Sequence, residues 1–184
     1  MQTQKKIRLL DRVKGRLCWA TRHSRLKLFW TIAVVGLLLP WLPSCDTAVR
    51  SHCTVNSIYD GDTMRLTCDA QRIKVRLYCI DAPETSQRPW GREARNHLRE
   101  ITPAQVVLIA RTKDRYGRTV GEVLTADKGG DNLNLAMVRS GNAAVYPQYC
   151  DDRQYFQAER EARQAGRGIW NTPGAHQTPW DTRH

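Results

Sequence analysis

The chain has 184 residues and a formal net charge of +11, a length that allows one compact domain plus extensions. The charge is uneven, because residues 1–45 hold nine Lys or Arg and one acidic residue, which leaves 20 basic against 17 acidic residues, about +3, in residues 46–184. This excludes polyanion binding through bulk charge, so any such binding by the domain must come from a local basic patch.

The N-terminal 45 residues are predicted to be membrane-directed. A basic stretch, Lys5 to Lys27, precedes Leu28 to Ser44, seventeen residues without a charge, which is slightly short of the ~20 that span a bilayer. An uncleaved anchor, a cleaved export signal and lipid attachment at Cys45 all stay open, the last because Leu42 to Cys45 resembles a bacterial lipoprotein cleavage site. A buried core helix is disfavoured by the basic flank. The positive-inside tendency predicts an exported domain on the periplasmic or extracellular face.

Four cysteines lie in the domain: Cys53, Cys68, Cys79 and Cys150. No C-x-x-C or close Cys/His grouping suggests zinc. Cys53 and Cys68 are nearly equidistant from Asp60-Gly61, so a hairpin closed there would place them opposite each other and leave Cys79 for Cys150. Four buried free thiols are the alternative, and an exported domain favours disulfides.

Five short strands are predicted from alternation of apolar and polar residues. They cover His52 to Tyr59, Thr63 to Cys68, Arg72 to Leu77, Gln105 to Ala110 and Thr119 to Leu124. Met64 and Leu66 alternate with Arg65 and Thr67, the pattern of a half-buried strand. Five such strands suit a small closed barrel.

Three helices are predicted between and after the strands, at Gly91 to Ile101, Asn132 to Ser140 and Asp151 to Ala165. Pro103, Gly141 and Gly166 stand at their ends, and Asp151-Asp152 can cap the third. The fold class is therefore α+β, mainly β, with a domain at 46–170. Residues 171–184 are expected to be a flexible tail, since they have two prolines and no periodic apolar pattern.

Short polar motifs follow the strands. They are Asp60-Gly61-Asp62-Thr63, Arg76, Asp81-Ala82-Pro83-Glu84 and Asp114-Arg115-Tyr116-Gly117-Arg118. These motifs supply two metal-seeking carboxylates, one candidate base and two guanidinium groups, which suit attack of water on a phosphodiester. The chain is therefore predicted to be a nuclease.

Strand parity constrains how these groups can meet. Asp62 and Asp81 share the inward parity of their strands and lie at strand ends, so they can converge at the mouth of the barrel. Arg76 has the opposite parity from Asp81, so a bulge, bend or strand end is required near Tyr78 to Ile80.

Each candidate has a less specific interpretation. Asp62 and Asp81 are predicted Ca²⁺ ligands, because Ca²⁺ prefers oxygen donors, although each could simply form a turn. Glu84, held by the preceding proline, is the candidate general base, although most glutamates in loops are only solvated. Arg118 could be an ordinary turn arginine.

Further side chains could line a nucleic-acid groove: Arg115, Tyr116, Tyr146 and Tyr149. Cations would contact phosphates and rings would stack on bases. Tyr146 and Tyr149 could instead be packing residues.

The DGDT, VRL-x-x-ID-x-PE and DRYGR blocks, in this order, resemble the thermonuclease family, also called staphylococcal nuclease-like, over about Arg50 to Trp170. The resemblance implies a five-stranded oligonucleotide-binding (OB-fold) barrel, with Glu84 as base and Arg76 and Arg118 as catalytic arginines. It also implies that the carbonyl of Ala82, where relatives commonly have Thr, joins Asp81 as a metal ligand.

The activity implied is Ca²⁺-dependent hydrolysis of DNA and RNA, single-stranded or frayed, with 3′-phosphate products, by a monomer. A noncatalytic nucleic-acid-binding OB module tethered to the membrane is the rival, and the presence of both arginines and of Glu84 favours the enzyme.

Overall fold

The computed structural model describes residues 50–127 and 129–182. The predicted membrane-directed segment and Cys45 lie outside these residues. None of the helices within the described ranges combines the length and apolar character needed to cross a membrane.

Five strands close a barrel in the order β1, β2, β3, β6, β5. Their bounds are β1 Arg50–Ile58, β2 Thr63–Cys68, β3 Gln71–Leu77, β5 Gln105–Lys113 and β6 Thr119–Thr125. All neighbours are antiparallel except β3 and β6, which are parallel. Two short strands, β4 Ile80–Asp81 and β7 Ala144–Val145, pair outside the barrel. A closed five-stranded barrel with added helices is the OB-fold arrangement, as predicted.

The interior of the barrel is filled by the side chains that the alternation of apolar and polar residues predicted to point inward. Met64, Leu66 and Val75 are fully buried, and Leu77 is 1% exposed. Because successive side chains of a strand point to opposite faces, Arg65 and Lys74 then lie on the outer surface, where both are exposed.

Three α-helices cover the barrel, as predicted: α1 Trp90–Ile101, α2 Leu133–Arg139 and α3 Arg153–Gln164. Asn132 caps α2 by accepting a hydrogen bond from the N–H of Leu135, and Asp152 caps α3 in the same way from Gln154. Helix α1 buries Gly91, Ala94 and Leu98.

Both predicted disulfides are present, Cys53–Cys68 and Cys79–Cys150. Cys53 and Cys68 are direct partners in the β1–β2 register, with their Cα atoms 4.4 Å apart. The second disulfide connects the residue before β4 to the segment before α3, and it closes a far longer loop.

The C-terminal residues differ from the expectation of a flexible tail. Within 171–182 there are two short 3-10 helices, Ala175–Gln177 and Pro179–Thr182. His176 is only 5% exposed, and its ring stacks on Trp90 with the centroids 3.5 Å apart. Isolated aromatic anchors have no periodic pattern, which is why the sequence did not reveal this packing.

Candidate active site

The loop between β1 and β2 is shaped by Asp60 and packed through Gly61. The Oδ1 atom of Asp60 accepts a hydrogen bond from the N–H of Asp62 at 3.0 Å, so Asp60 forms the turn as expected. A Cβ atom on Gly61 would lie 2.6 Å from the Cβ of Ala82 and 2.7 Å from that of Ala94. Gly61 is therefore required by close packing, which brings this loop against the segment that follows β4.

Two buried carboxylates meet one guanidinium beside this loop. Asp62 and Asp81 are 2% and 0% exposed. The Nη1 atom of Arg76 donates to Asp62 Oδ1 at 2.9 Å, and its Nη2 atom donates to Asp81 Oδ1. Asp62 also accepts hydrogen bonds from Thr63 Oγ1 and from the N–H of Ala82, each at 2.9 Å. Arg76, Asp62, Asp81 and Ala82 thus form one connected cluster.

The irregularity required by parity lies at Tyr78 and Cys79. Strand β3 ends at Leu77, Cys79 takes a positive φ of 70°, and β4 begins at Ile80. This break shifts the alternation, so that Asp81 can turn toward Arg76. The N–H of Tyr146 donates to the carbonyl of Cys79 at 2.9 Å, which extends the β4–β7 pairing across the break.

The cluster brings one guanidinium and two carboxylates together in a buried environment, which shifts the pKa values of its groups. Burial disfavours a charged guanidinium, but the Asp62 and Asp81 carboxylates outweigh it and raise the pKa of Arg76 above its ordinary value. Burial, then repulsion by Asp62, raises the pKa of Asp60 to about 6, and Glu84 adds to this repulsion. The Glu84 carboxylate is therefore close enough to Asp60 for the two charges to repel each other.

The donor chemistry of this cluster fits a hard divalent cation. Carboxylate, carbonyl and water oxygens are the ligands that Ca²⁺ takes, and Asp62 and Asp81 supply two buried carboxylates. Within residues 50–127 and 129–182, no group of three or more His, Cys, Asp or Glu side chains could hold a metal ion. Carbonyl and water oxygens would therefore have to complete the ligand set. Ala82, with the predicted carbonyl ligand, is held beside the cluster by its N–H bond to Asp62.

Glu84 is positioned by the start of α1. Its N–H donates to the side-chain carbonyl of Gln87 at 2.8 Å, and its own carbonyl accepts from the N–H of Gln87 at 2.8 Å. A Cβ on Gly91 would lie only 1.8 Å from the Glu84 carbonyl oxygen. Glycine at this position therefore lets α1 press directly against the backbone that carries the candidate base. Sequence reasoning missed both Gln87 and Gly91.

Arg118 lies at the end of the β5–β6 hairpin and is held by Asp114. The Oδ2 atom of Asp114 accepts from Arg118 Nε at 2.6 Å, and Oδ1 accepts from the N–H groups of Tyr116 and Arg118. Burial raises the pKa of the Asp114 carboxyl, but the Arg118 bonds outweigh burial and lower it. Asp114 was not predicted to have this role, although a carboxylate four residues before an arginine was a visible signal.

Strand register connects Arg118 to the cluster. Arg76 is directly opposite Val120 in the parallel β3–β6 pair. Arg118 lies in the turn just before β6, two residues from Val120. The β5–β6 hairpin therefore ends beside the end of β3 that carries Arg76.

The four predicted groove residues form two groups. Tyr116 is 69% exposed, with the guanidinium carbons of Arg115 and Arg118 at 4.8 and 5.6 Å from its ring centroid. Tyr149 is 61% exposed and meets Tyr146 edge to face at 4.8 Å.

Tyr146 is half-buried. Its other ring partner is Trp180, which stacks on it with the centroids 5.1 Å apart. Trp180 was not predicted, because it lies in the expected tail. The aromatic side chains thus form two groups, one beside Arg118 and one beside Cys79.

Taken together, the site combines the Glu84 carboxylate, the buried pair Asp62 and Asp81, and the guanidinium groups of Arg76 and Arg118. Guanidinium groups bind tetrahedral anions through paired hydrogen bonds, and buried carboxylates attract divalent cations. This set of groups can bind a phosphodiester and supply a proton acceptor next to it.

Comparisons with known proteins agree with this chemistry. A family model described as staphylococcal nuclease homologue matches residues 74–172. A protein named micrococcal nuclease from Shigella flexneri is 41% identical over 135 residues, which cover 68% of this chain and 76% of the relative. A protein named uncharacterized endonuclease from Escherichia coli O157:H7 is 37% identical over 154 residues, covering 83% and 96%. The family range includes Arg76, Asp81, Glu84 and Arg118.

Proposed function

This chain belongs to the staphylococcal nuclease family and is a nuclease, and we propose that it hydrolyses both DNA and RNA with Ca²⁺ as the metal. The observations that support the proposal are the Asp62–Arg76–Asp81 cluster and a Glu84 carboxylate close enough to repel the neighbouring Asp60. A noncatalytic binding module would have no need for a buried acidic pair next to a positioned carboxylate.

Glu84 acts as the general base. Its backbone is fixed from both sides by Gln87 and by the close approach of Gly91, so its carboxylate can hold a water molecule in line with the phosphorus atom. The carboxylate removes a proton from that water as the new phosphorus–oxygen bond forms. The bond between phosphorus and the 5′-oxygen breaks, the 5′-oxygen takes a proton from solvent and leaves as a 5′-hydroxyl, and the other product keeps a 3′-phosphate.

Arg76 and Arg118 bind the nonbridging phosphoryl oxygens. Arg118 is oriented by the hydrogen bond from its Nε atom to Asp114. Its two Nη groups can therefore be directed at the phosphate. Arg76 stays protonated in its acidic setting. Negative charge that grows on the phosphoryl oxygens during attack is therefore met by two guanidinium groups whose positions are fixed by carboxylates.

Asp62, Asp81 and the carbonyl of Ala82 would hold the metal. When bound there, Ca²⁺ supplies positive charge that polarises the phosphate. Arg76 already holds the carboxylates of Asp62 and Asp81 in place. Little conformational entropy would therefore be lost when these side chains bind a metal.

The test is turnover of Glu84→Gln on single-stranded DNA and RNA, with calcium and with a chelator. We expect kcat to fall by about 10²–10⁴-fold, the usual contribution of a general base, with the Tm unchanged. Glu100→Gln is the matched control, because the Glu100 side chain is 80% exposed. Near-normal kcat in Glu84→Gln would remove Glu84 from the mechanism. DNA binding without cleavage under every divalent ion would instead support the noncatalytic module.

The nuclease works outside the cytoplasm, exported and either membrane-tethered or secreted. The two disulfides support this location, since such bonds persist mainly in oxidising compartments. Cell fractionation and the intact mass of the mature protein, with and without reductant, test it. A full-length, reduced protein in the cytosolic fraction would refute it.

A further inference from the structure

The outer surface of β2 and β3 is strongly basic. Its side chains alternate with the buried ones. The residues of this parity are Thr63, Arg65 and Thr67 on β2, and Arg72, Lys74 and Arg76 on β3; Thr63 is buried, and the other five are exposed or half-buried. Four of these six are cations and none is acidic, whereas residues 46–184 as a whole have a net charge of only about +3. Because Arg76 is paired with Asp62 and Asp81, the exposed cations of this face are Arg65, Arg72 and Lys74.

This basic face is continuous with the active site. Arg76, at one end of the row on β3, is the guanidinium that binds Asp62 and Asp81. Alternate residues of a strand are about 6.8 Å apart, so the row from Arg76 through Lys74 to Arg72 extends about 13 Å from the site. Arg65 lies directly opposite Lys74 and widens the row.

An exposed aromatic ring completes the surface. Tyr59 is 38% exposed and, with Tyr116 and Tyr149, is one of three exposed large hydrophobic side chains among the described residues. Its ring centroid lies 5.5 Å from the guanidinium carbon of Arg65 and 5.1 Å from the ammonium nitrogen of Lys74. Both cations lie over the ring, close enough to contact the phosphates of a strand whose base stacks on the same side chain.

We propose that Tyr59, Arg65, Arg72 and Lys74 form a binding track for a single-stranded polynucleotide, which leads the strand to the active site. The inference rests on the nuclease function and adds to it a substrate-length preference. A polynucleotide fits better than an acidic protein or lipid surface, because the track ends at the phosphate-binding Arg76 and combines cations with an aromatic platform. The outer face of strands 2 and 3 is also where OB-fold barrels bind oligonucleotides.

The experiment compares Tyr59→Ala and Lys74→Gln on a 20-nucleotide single strand and on a dinucleotide. We expect KM for the 20-mer to rise about tenfold in Tyr59→Ala, the usual effect of losing one stacked base, while kcat and KM for the dinucleotide stay within twofold of wild type. Arg160→Gln, an exposed cation of α3, is the charge-matched control and should leave both substrates unchanged.

Binding is measured in parallel, by anisotropy of a labelled 20-mer in the presence of chelator. The slope of log Kd against log salt should fall by about 1.4 in Arg65→Gln/Lys74→Gln, about 0.7 for each cation. Equal KM changes on both substrates, or an unchanged 20-mer KM and salt slope, would overturn the track. The track would also be overturned if Arg65→Gln/Lys74→Gln lost binding to anionic vesicles or to a poly-glutamate peptide but kept its binding to the 20-mer.

The binding measurement separates this proposal from the nuclease assignment. Wild-type protein that binds the 20-mer through Tyr59 and Lys74 but cleaves neither substrate would refute the proposed chemistry and keep the track. Wild-type protein that cleaves both substrates, with variants that behave like it, would keep the chemistry and refute the track.

Discussion

Replacing Gly91 with alanine should move the catalytic loop. A Cβ at this position would lie 1.8 Å from the Glu84 carbonyl oxygen and 2.5 Å from the carbonyl carbon. Such contacts essentially never fall below 3.0 Å, so the Glu84 backbone and α1 must separate by about 1.2 Å. Misplacing a catalytic group by about 1 Å can cost 10²-fold in rate. We therefore expect kcat to fall about 100-fold in Gly91→Ala.

The assay is steady-state cleavage of a defined oligonucleotide, together with urea unfolding. Overpacking typically destabilises by about 1–3 kcal/mol, whereas alanine in an uncrowded helix is about 1 kcal/mol more stable than glycine. The free energy of unfolding should thus decrease. Gly129→Ala is the control, because its nearest neighbour would be 3.5 Å from the new Cβ. A Gly91→Ala protein that is as active as wild type, or more stable, would refute the proposed contact with Glu84.

Three further changes test other parts of the structure. Arg76→Lys keeps the charge but loses the planar fork, so kcat should fall by 10²–10³-fold, measured by oligonucleotide cleavage. Cys79→Ala/Cys150→Ala removes the second disulfide, whose cysteines are 71 residues apart. The free energy of unfolding, measured in urea, should fall by about 4 kcal/mol. The kcat should also fall, because Cys79 adjoins β4. His176→Ala should cost about 2 kcal/mol of stability in the same assay, since it removes a buried ring that stacks on Trp90 and donates through Nε2 to two carbonyls.

Each of these predictions has a contrary outcome. Cys53→Ala/Cys68→Ala opens a loop with a separation of only 15 residues, so it should cost about 3 kcal/mol and leave kcat unchanged; equal loss of activity in both pairs would contradict a specific role for Cys79. Full activity in Arg76→Lys would point to another phosphate ligand. A His176→Ala protein with wild-type stability would show that the C-terminal residues are not anchored through this ring.

Much of the fold could be predicted because it depends on local patterns. Alternation in β2 and β3 selected Met64, Leu66 and Val75 for the interior, and all three are buried. The equal spacing of Cys53 and Cys68 about one turn predicted their pairing. The buried positions follow from the two-residue period of a strand, and the cysteine pairing follows from the equal number of residues on each side of the turn. Both depend only on residues that are close together in the sequence.

The site could be predicted in its parts but not in its arrangement. The motifs identified Asp62, Arg76 and Asp81, and parity showed that a break was needed between the last two. Only the structure placed that break at Cys79, where φ is 70°. A single residue with left-handed backbone leaves little trace in the sequence unless it is glycine or asparagine, because other residues adopt it only where tertiary contacts impose it.

The remaining contacts join segments that are distant in the chain and carry no local signal. Gly61 is required by Ala82 and Ala94, Gly91 supports Glu84, and Trp180 covers Tyr146. The sequence by itself predicted the five barrel strands, which cysteines would pair if they were oxidised, and the chemical groups available; it did not predict the short strands β4 and β7. Only the tertiary structure decided which surfaces pack closely against each other. Van der Waals contact changes over a few tenths of an ångström, and the periodic pattern of apolar residues carries no information at that scale.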